Sequence, residues 1–308
     1  MSDVTSSAVG TALSRRSSRR GVRRFPWHVA AFVAPALVVY SLFMVYPLVD
    51  SIWRSLFDDA GHYVGLGNFR TLFGDELYSE PFWNALKNNF VFFAFHSLVQ
   101  NPIGLCLALL LTAEGIRGQH VYRTLIFAPT VLSVVVIGFI WRLILSPLWG
   151  IVDTPLLGQS STALPTLSLI SVWQWVGIPM IFFYAVLIAI PRDLVEAARV
   201  DGAGTWRVFW TVTFPLILPM LGIITIVTYI ANFNAFDLIY TVQGALAGPD
   251  FSTDILGTLF YRTFFGFQLQ PGSEALGATV ASAMFLIILI GVLVYMFGWQ
   301  RRVTTYEL

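Results

Sequence analysis

The chain has 308 residues, 56% of them hydrophobic and only 11% charged, with a single Cys and a formal net charge of +1. Soluble domains carry about a quarter charged residues, so this composition suits lipid, and the near-zero charge balance excludes the broad basic face that a nucleic-acid partner needs. The lone Cys106 rules out an internal disulfide and reads as a small buried thiol, while the only Lys, Lys87, lies in no G-x-x-x-x-G-K-[ST] pattern and so offers no P-loop for ATP.

Residues 1–24 are rich in Ser and Arg without apolar periodicity and read as a disordered basic tail. The apolar run that follows is too long for a signal-peptide core and ends in no small-x-small site, so a cleaved leader is not expected. The tail is instead suited to anionic lipid on the inner face.

From there to the C-terminus, residues 25–308 form one membrane domain. Six segments are long and apolar enough to cross a bilayer as helices of about 20 residues: 28–49, 90–111, 125–145, 167–190, 214–236 and 275–299. Prolines inside them (Pro35, Pro47, Pro102, Pro129, Pro179, Pro219) predict kinks rather than breaks. Of the eighteen Lys and Arg, thirteen fall on the tail, the 112–124 and 191–213 loops and the C-terminal end. Cytoplasmic segments carry the positive excess, so both termini and the 191–213 loop are predicted inside, and 50–89, 146–166 and 237–274 outside. The outer segments mix acids, aromatics and glycines and read as ordered loops.

The loop 191–215 is unusual for a connection between spans. Pro191 is suited to open a helix, Asp193 and Glu196 lie at its N-terminal end where acids favour the dipole, and Ala197 and Ala198 leave a low surface that another protein can approach. Asp201-Gly202-Ala203-Gly204 is a stop and turn. Trp206, Phe209 and Trp210 then restart a helix with an apolar stripe, and Pro215 and Pro219 lead into the fifth span. The plain alternative is a solvated hairpin that only joins two spans, but that needs neither a small-residue ledge nor aromatic knobs.

With these residues in view, the chain resembles the permease subunits of binding-protein-dependent ABC importers, in the carbohydrate-uptake group related to maltose and glycerol-3-phosphate permeases. Glu196-Ala197-Ala198, then Asp201-Gly202-Ala203, then Phe209 and Pro215 resemble the family's EAA coupling loop. The likeness extends over about 28–300: Tyr63 to Phe69 (YVGLGNF), Phe82 to Asn88 (FWNALKN), Tyr122-Arg123-Thr124 with Pro129, Ile190-Pro191 before Glu196, and Ile239-Tyr240 with Gly248-Pro249 and Thr253. Gln243 and Ala247 depart from it, standing where Thr and Gly are common, and Asp153 replaces a usual Asn. No large extra outer domain is present, as in the shorter glycerol-phosphate-type members.

The resemblance implies an all-α integral membrane protein of type I importer permease architecture, with six spans and both termini inside. It implies a second homologous permease subunit, a cytoplasmic ABC ATPase dimer using ATP and Mg, and an external solute-binding protein or lipoprotein, in the cell membrane of a bacterium or archaeon. This chain would bind no cofactor or metal and would have no catalytic residue. It carries no H-E-x-x-H, Cys pair, G-x-S-x-G or glycine-rich phosphate cradle.

Polar residues within the spans are His96, Gln100, Asn101, Arg142, Gln174, Asn232 and Asn234, with Asp237 at an end. Such groups face a bundle interior or an aqueous path. Amides beside Trp173, Trp175, Tyr229, Phe233 and Phe236 suit hydroxyls and C–H faces, which makes Gln174, Asn232, Asn234 and Asp237 candidates for a solute path. Interhelical hydrogen bonding is the equal alternative. Arg142 reads as a snorkelling residue and His96 as packing beside Gln100. An ion- or proton-driven carrier would call for inverted repeats and a midplane charge relay, which are not found; a non-transporting scaffold would not require the outer YVGLGNF segment. The solute itself is not readable at this level.

Overall fold

A computed structural model of the chain describes residues 27–113, 115–149, 153–267 and 271–301; the basic tail 1–24 lies outside them. The regular structure of the described residues is helical, with an isolated antiparallel bridge between Phe57 and Tyr63. In order the helices are α1 Trp27–Tyr40, α2 Tyr46–Arg54, α3 Gly67–Gly74, α4 Glu76–Phe95, α5 Asn101–Thr112, α6 Gln119–Val131, α7 Val134–Ile144, α8 Ala163–Trp175, α9 Gly177–Ala189, α10 Arg192–Val200, α11 Thr205–Val208, α12 Phe214–Phe233, α13 Asp237–Gln243, α14 Leu256–Phe265 and α15 Glu274–Val294. Single π-turns at Ser41–Val45, His96–Gln100 and Phe209–Thr213 join α1 to α2, α4 to α5 and α11 to α12 without ending the helix, and a further one at Tyr295–Gln300 extends α15.

The chain divides into two compact units at Pro47–Leu48. The described part of the first is α1 with its π-turn and the start of α2, an apolar helix that keeps Pro35 in its interior. The second unit holds everything else.

Four helices are long and apolar enough to cross a membrane: Ala31–Arg54, Glu76–Thr112, Thr205–Phe233 and Glu274–Gln300. Two bent pairs, α6 with α7 and α8 with α9, bring the number to six if each pair is one span. The pairs correct the expectation of mere kinks. The 125–145 segment turns by 93° between Val131 and Val134, and α8 and α9 meet at 44° around Val176. In the first, Leu132 and Ser133 take extended ψ angles of 147° and 130°, so no helical hydrogen bond bridges the corner.

Other boundaries move as well. The second apolar helix starts at Glu76 rather than 90, capped by Asp75, whose carboxylate accepts the Leu77 N–H at 2.9 Å. The fifth ends at Phe233, with Asn234 at its C-cap and Asp237 opening a separate helix. Pro191 sits just before α10 instead of within it, its ψ of 129° being extended.

Within the second unit the core is threefold. Leu72, Phe82, Tyr229, Phe233, Leu256 and Val280 join α3, α4, α12, α14 and α15. Ile137, Leu167, Ile170, Leu238, Ile239 and Ile255 join α7, α8 and α13. Ala108, Leu111, Met180, Phe183 and Ile224 join α5, α9 and α12. In lipid such contacts rest on close van der Waals packing rather than on water exclusion, which favours small residues at crossings. α5 turns Asn101, Gly104, Ala108 and Leu111 inward. Cys106 therefore lies on the other side of the helix and is exposed, which corrects its reading as a buried thiol.

Two glycines show the demand for space most clearly. Gly222 on α12 faces the Trp299 indole and Gly291 on α15 faces the Tyr229 ring, and an added Cβ at either would collide with the aromatic side chain. The Tyr229 hydroxyl donates to the Ile287 carbonyl at 2.8 Å, one turn from Gly291.

Candidate functional site

A cavity of about 290 Å³ opens among α4, α8, α9, α12 and α13, near the lower bound of about 300 Å³ for small-molecule clefts. The π-turn on the α4–α5 rod supplies two of its polar residues, His96 and Gln100, both buried. π-turns of this kind are rare and concentrate at functional positions, because the extra residue shifts the side chains that follow around the axis. The end of α12 supplies Thr228, Asn232 and, at its C-cap, Asn234; Asp237 stands on the first turn of α13. Trp175, Phe182 and Phe236 supply ring surface.

The polar lining divides into engaged and unengaged groups. His96 Nδ1 lies 2.8 Å from the Phe92 carbonyl and Nε2 lies 2.9 Å from Ser171 Oγ. A carbonyl only accepts, so Nδ1 carries a proton, and in the uncharged ring Nε2 accepts the Ser171 hydroxyl. Asn232 Nδ2 donates to the Thr228 carbonyl at 2.7 Å, and Asn234 Nδ2 to the Ile230 carbonyl at 2.9 Å. By contrast, Asn232 Oδ1 and Gln100 Oε1 are buried without a partner. A buried acceptor left unpaired costs about 1–3 kcal/mol.

Of the four residues predicted for a solute path, Asn232, Asn234 and Asp237 meet at this cavity and Gln174 does not line it. Gln174 is fully buried, and its Nε2 reaches the Leu132 carbonyl at 3.5 Å, at the corner between α6 and α7. His96 is held by Phe92 and Ser171 rather than by Gln100. Arg142 is exposed in the last turn of α7. Ser171, Phe182 and Thr228 had no distinguishing pattern in the sequence, since an isolated small hydroxyl or ring in an apolar run is ordinary.

A buried amide clamp fixes the wall behind the cavity. Asn89 Nδ2 donates to the Asn232 carbonyl at 2.9 Å, while its Oδ1 accepts the Leu256 N–H at 2.8 Å. Asn88 Nδ2 donates to the carbonyls of Ser252 and Asp254. The segment it holds is strained: Ala247, Asp250 and Phe251 have φ of 51°, 50° and 53°. Non-glycine residues rarely adopt such angles, and they persist only where the surroundings over-determine them. Here Asn84 donates to the Phe251 carbonyl, the Arg262 guanidinium lies 4.9 Å from the centre of the Phe251 ring, and Ser160 donates to Asp250. The departure at Ala247 thus falls on a backbone position whose conformation glycine would adopt freely.

At the other end of α12 stands the helix–turn–helix of the 191–215 loop. α10 ends in a Schellman turn. The N–H of Ala203 donates to the Ala198 carbonyl and that of Gly202 to Arg199, both at 3.0 Å, with Gly202 at φ 83°. Glu196, Ala197, Asp201 and Gly202 are exposed; Ala198, Ala203, Phe209 and Pro215 are half-buried. Trp206 and Trp210 stack edge to face at 5.6 Å, and Trp206 remains 73% exposed, an apolar surface that single solvated helices do not carry without cause. Among the described residues Glu196, Arg199, Asp201 and Arg207 make no side-chain hydrogen bond or ion pair. The same residues hold no cluster of three or more His, Cys, Asp or Glu suited to a metal ion.

The sequence profile of the binding-protein-dependent transport system inner membrane components matches residues 100–303. The chain belongs to that family. As a permease subunit it is a multi-pass protein of the inner membrane that works in an ABC importer with a solute-binding protein. It is 32% identical over 274 residues to the lactose transport system permease protein LacF of Rhizobium radiobacter, covering 84% of this chain and 89% of that one. It is 31% identical over 296 residues to the sn-glycerol-3-phosphate transport system permease protein UgpA of Salmonella typhi, covering 90% and 95%. Its fold is that of a chain in a bacterial ABC transporter involved in the import of the acidic polysaccharide alginate, with a TM-score of 0.76 at 21% identity over 90% of this chain and 96% of the other.

In a permease, the cavity and the loop acquire separate tasks. The cavity supplies amide and hydroxyl groups, the Asp237 carboxylate and ring faces. The exposed loop presents the charges of Glu196, Arg199, Asp201 and Arg207 and the indoles of Trp206 and Trp210.

Proposed function

We propose that this chain forms one half of the translocation path of an ATP-driven importer of sugars or sugar-like solutes. A second, homologous permease chain supplies the other half, and two copies of a cytoplasmic ATPase hold ATP and Mg and grip the loop from Glu196 to Pro215. The spans number six, with both termini and that loop inside, a reading supported by the thirteen positive residues that fall on that side.

The observation that carries this reading is the continuous helix Thr205–Phe233, 29 residues long. Trp206 stands at its start and Asn232 near its end, about 40 Å apart at 1.5 Å per residue. A stiff rod of that length transmits a displacement of the loop to the cavity wall. When the ATPase pair closes on ATP, Ala197, Ala198 and Gly202 allow a close fit, Glu196, Asp201, Arg199 and Arg207 pair with its surface, and α12 swings. The turn at Val131–Val134 and the bend at Val176 provide hinges on the facing spans. Movement of Asn232 and Asn234 then alternates the access of the cavity between the two sides. The sugar class is supported by the amide and aromatic lining and by the relatives' lactose and glycerol-phosphate systems.

The test is affinity purification of the tagged chain from its native membrane in mild detergent, with mass spectrometry of its companions. Recovery of an ATPase, a second permease and an external binding protein is the expected result. Recovery of the chain alone, moving solute in liposomes without ATP, overturns it.

A further inference from the structure

The two bent helix pairs rest on each other at their bends. Val176 joins α8 to α9 at 44°, and residues on either side of it reach α6 and its 93° corner with α7. Gly177 lies against the Ile126 carbonyl and the Phe127 Cα of α6, where an added Cβ would come within 3.0 Å of both. Gln174 is fully buried and sends its Nε2 to the Leu132 carbonyl, at the corner itself.

A change of angle at that corner moves the cavity wall. Gly138 of α7 faces α13 closely, with Thr241 Cγ2 only 3.0 Å from where a Cβ would stand. Ile137 packs in one cluster with Leu238 and Ile239. Those two residues line the cavity, as does Val134 in the first turn of α7. α7 and α13 are thus packed to travel together.

Hydrogen bonding at the corner is unfinished, and in a complementary way. The Gln174 Nε2 contact is 3.5 Å long, at the limit for such a bond, and Gln174 Oε1 is buried without a partner. α7 meanwhile opens without a side-chain cap from Ser133. Between Leu132, which donates to Pro129, and Ile137, which donates to Ser133, no backbone N–H finds an acceptor among the described residues. Within a bilayer no water relieves such groups, and each one buried and unpaired costs about 1–3 kcal/mol. An amide carries a donor and an acceptor, so one side chain can serve either side of the corner.

We infer that Gln174 is a positioning residue of the transport cycle, a two-way clasp on the α6–α7 corner. Its Nε2 holds the Leu132 carbonyl in the bent form, and its Oε1 takes an N–H from the first turn of α7 when the corner opens. The clasp couples the bend at Val176 to the wall of the cavity. This rests on the alternation of access proposed above.

Spin labels on Val121→Cys of α6 and Leu143→Cys of α7, both exposed positions, read the corner in the full permease–ATPase assembly, with Cys106→Ser removing the native thiol. At 1.5 Å per residue the two positions stand about 23 Å apart across a turn of 93° and about 31 Å apart if it opens to 44°. With ATP and vanadate to trap the ATPase pair, the parent distance lengthens by about 8 Å. Gln174→Met matches the amide in length without its hydrogen bonds. It loses the response while vanadate-sensitive ATP hydrolysis persists, a split that a merely structural loss does not give. Val134→Pro suits the first turn of a helix, but its ring blocks a straight run from α6, and it holds the distance at the bent value. If Gln174→Met loses hydrolysis as well, the proline variant, which leaves the amide in place, decides. A parent-sized response in either variant overturns the clasp, as does an unchanging distance in a parent that traps nucleotide; both leave the importer reading standing. A chain that purifies without any ATPase sinks the importer reading, and this inference with it.

Discussion

Arg262 grips Asp254 through both arms of its guanidinium, Nη1 at 2.9 Å from Oδ1 and Nη2 at 2.6 Å from Oδ2, with both side chains buried. Thr258 donates to the same carboxylate at 2.6 Å, and Arg262 also donates to the Ala245 carbonyl at 3.0 Å. The pair ties the strained 245–254 segment to α14, and Asn88 ties it to α4. Removing one partner of such a pair strands a buried charge, at about 3–5 kcal/mol, whereas replacing both costs far less. Arg262→Met should therefore lower the Tm of the detergent-purified chain by more than the double variant Arg262→Met/Asp254→Leu does. A double variant as unstable as the single one shows that the carboxylate is not the stranded group.

The crossing of α12 and α15 depends on absent side chains. Gly222→Ala places a methyl group against the Trp299 indole and Gly291→Ala places one against the Tyr229 ring. Overpacking of this kind costs about 1–3 kcal/mol, to be read as a lower Tm and reduced recovery of the chain from membranes. Trp299→Leu in the Gly222→Ala background makes room and should restore part of the loss. If it restores none, the helices do not cross at this glycine.

Much of the fold was legible in the residues, because backbone groups in lipid leave helices as the available form and apolar runs of about 20 residues mark them. The turn after α10 was legible for a similar reason: Asp201-Gly202-Ala203-Gly204 places a glycine where a left-handed residue is required. The corner at Leu132 was not. Pro129 lies inside α6, three residues before the break, and a proline that kinks a helix cannot be told from one that precedes its end. The cavity was half legible. Asn232, Asn234 and Asp237 cluster within six residues and drew attention, but whether Gln100 faces a void or a neighbour depends on the π-turn before it, which no pattern in HSLVQ announces. Gln174 shows the converse, an amide in an apolar helix that reaches a helix corner and not the cavity.

The loop after α2 has its own pH response. Asp58 accepts the N–H of His62 at 2.7 Å and that of Ala60 at 3.0 Å, with His62 Nδ1 at 3.2 Å. The His62 backbone N–H is the chief cause that holds its carboxyl below the usual value of 3.8. A depressed carboxyl contributes stability above its unfolded pKa and loses it as pH falls through the folded one. The loop should therefore keep its form at neutral pH and open only in acid below about 3.8. Hydrogen exchange at the Ala60 and His62 amides is the measure. Asp58→Ala should give fast exchange at every pH; protection that persists in that variant assigns the loop's order to the Phe57–Tyr63 bridge instead.

The coupling reading makes a sharper demand on two glycines two residues apart. Gly202 has φ 83° with open space around it, while Gly204 has φ −69° and is equally unobstructed. Alanine at 202 must adopt a left-handed angle that costs about 1–2 kcal/mol, and the Schellman turn yields by rotating α10 away from α11. Alanine at 204 fits its backbone and should change little, within about 0.5 kcal/mol. Neither methyl group meets a neighbour in the chain, so any difference between them comes from the angle between the helices. In proteoliposomes holding the full assembly, Gly202→Ala should leave ATP hydrolysis running while solute moved per ATP falls severalfold, and Gly204→Ala should behave as the parent. Glu196→Lys, which alters charge without touching the turn, should weaken recovery of the ATPase on purification. Equal coupling in Gly202→Ala and the parent would mean that the angle of this hairpin does not transmit the ATPase stroke, and that α12 is driven from elsewhere.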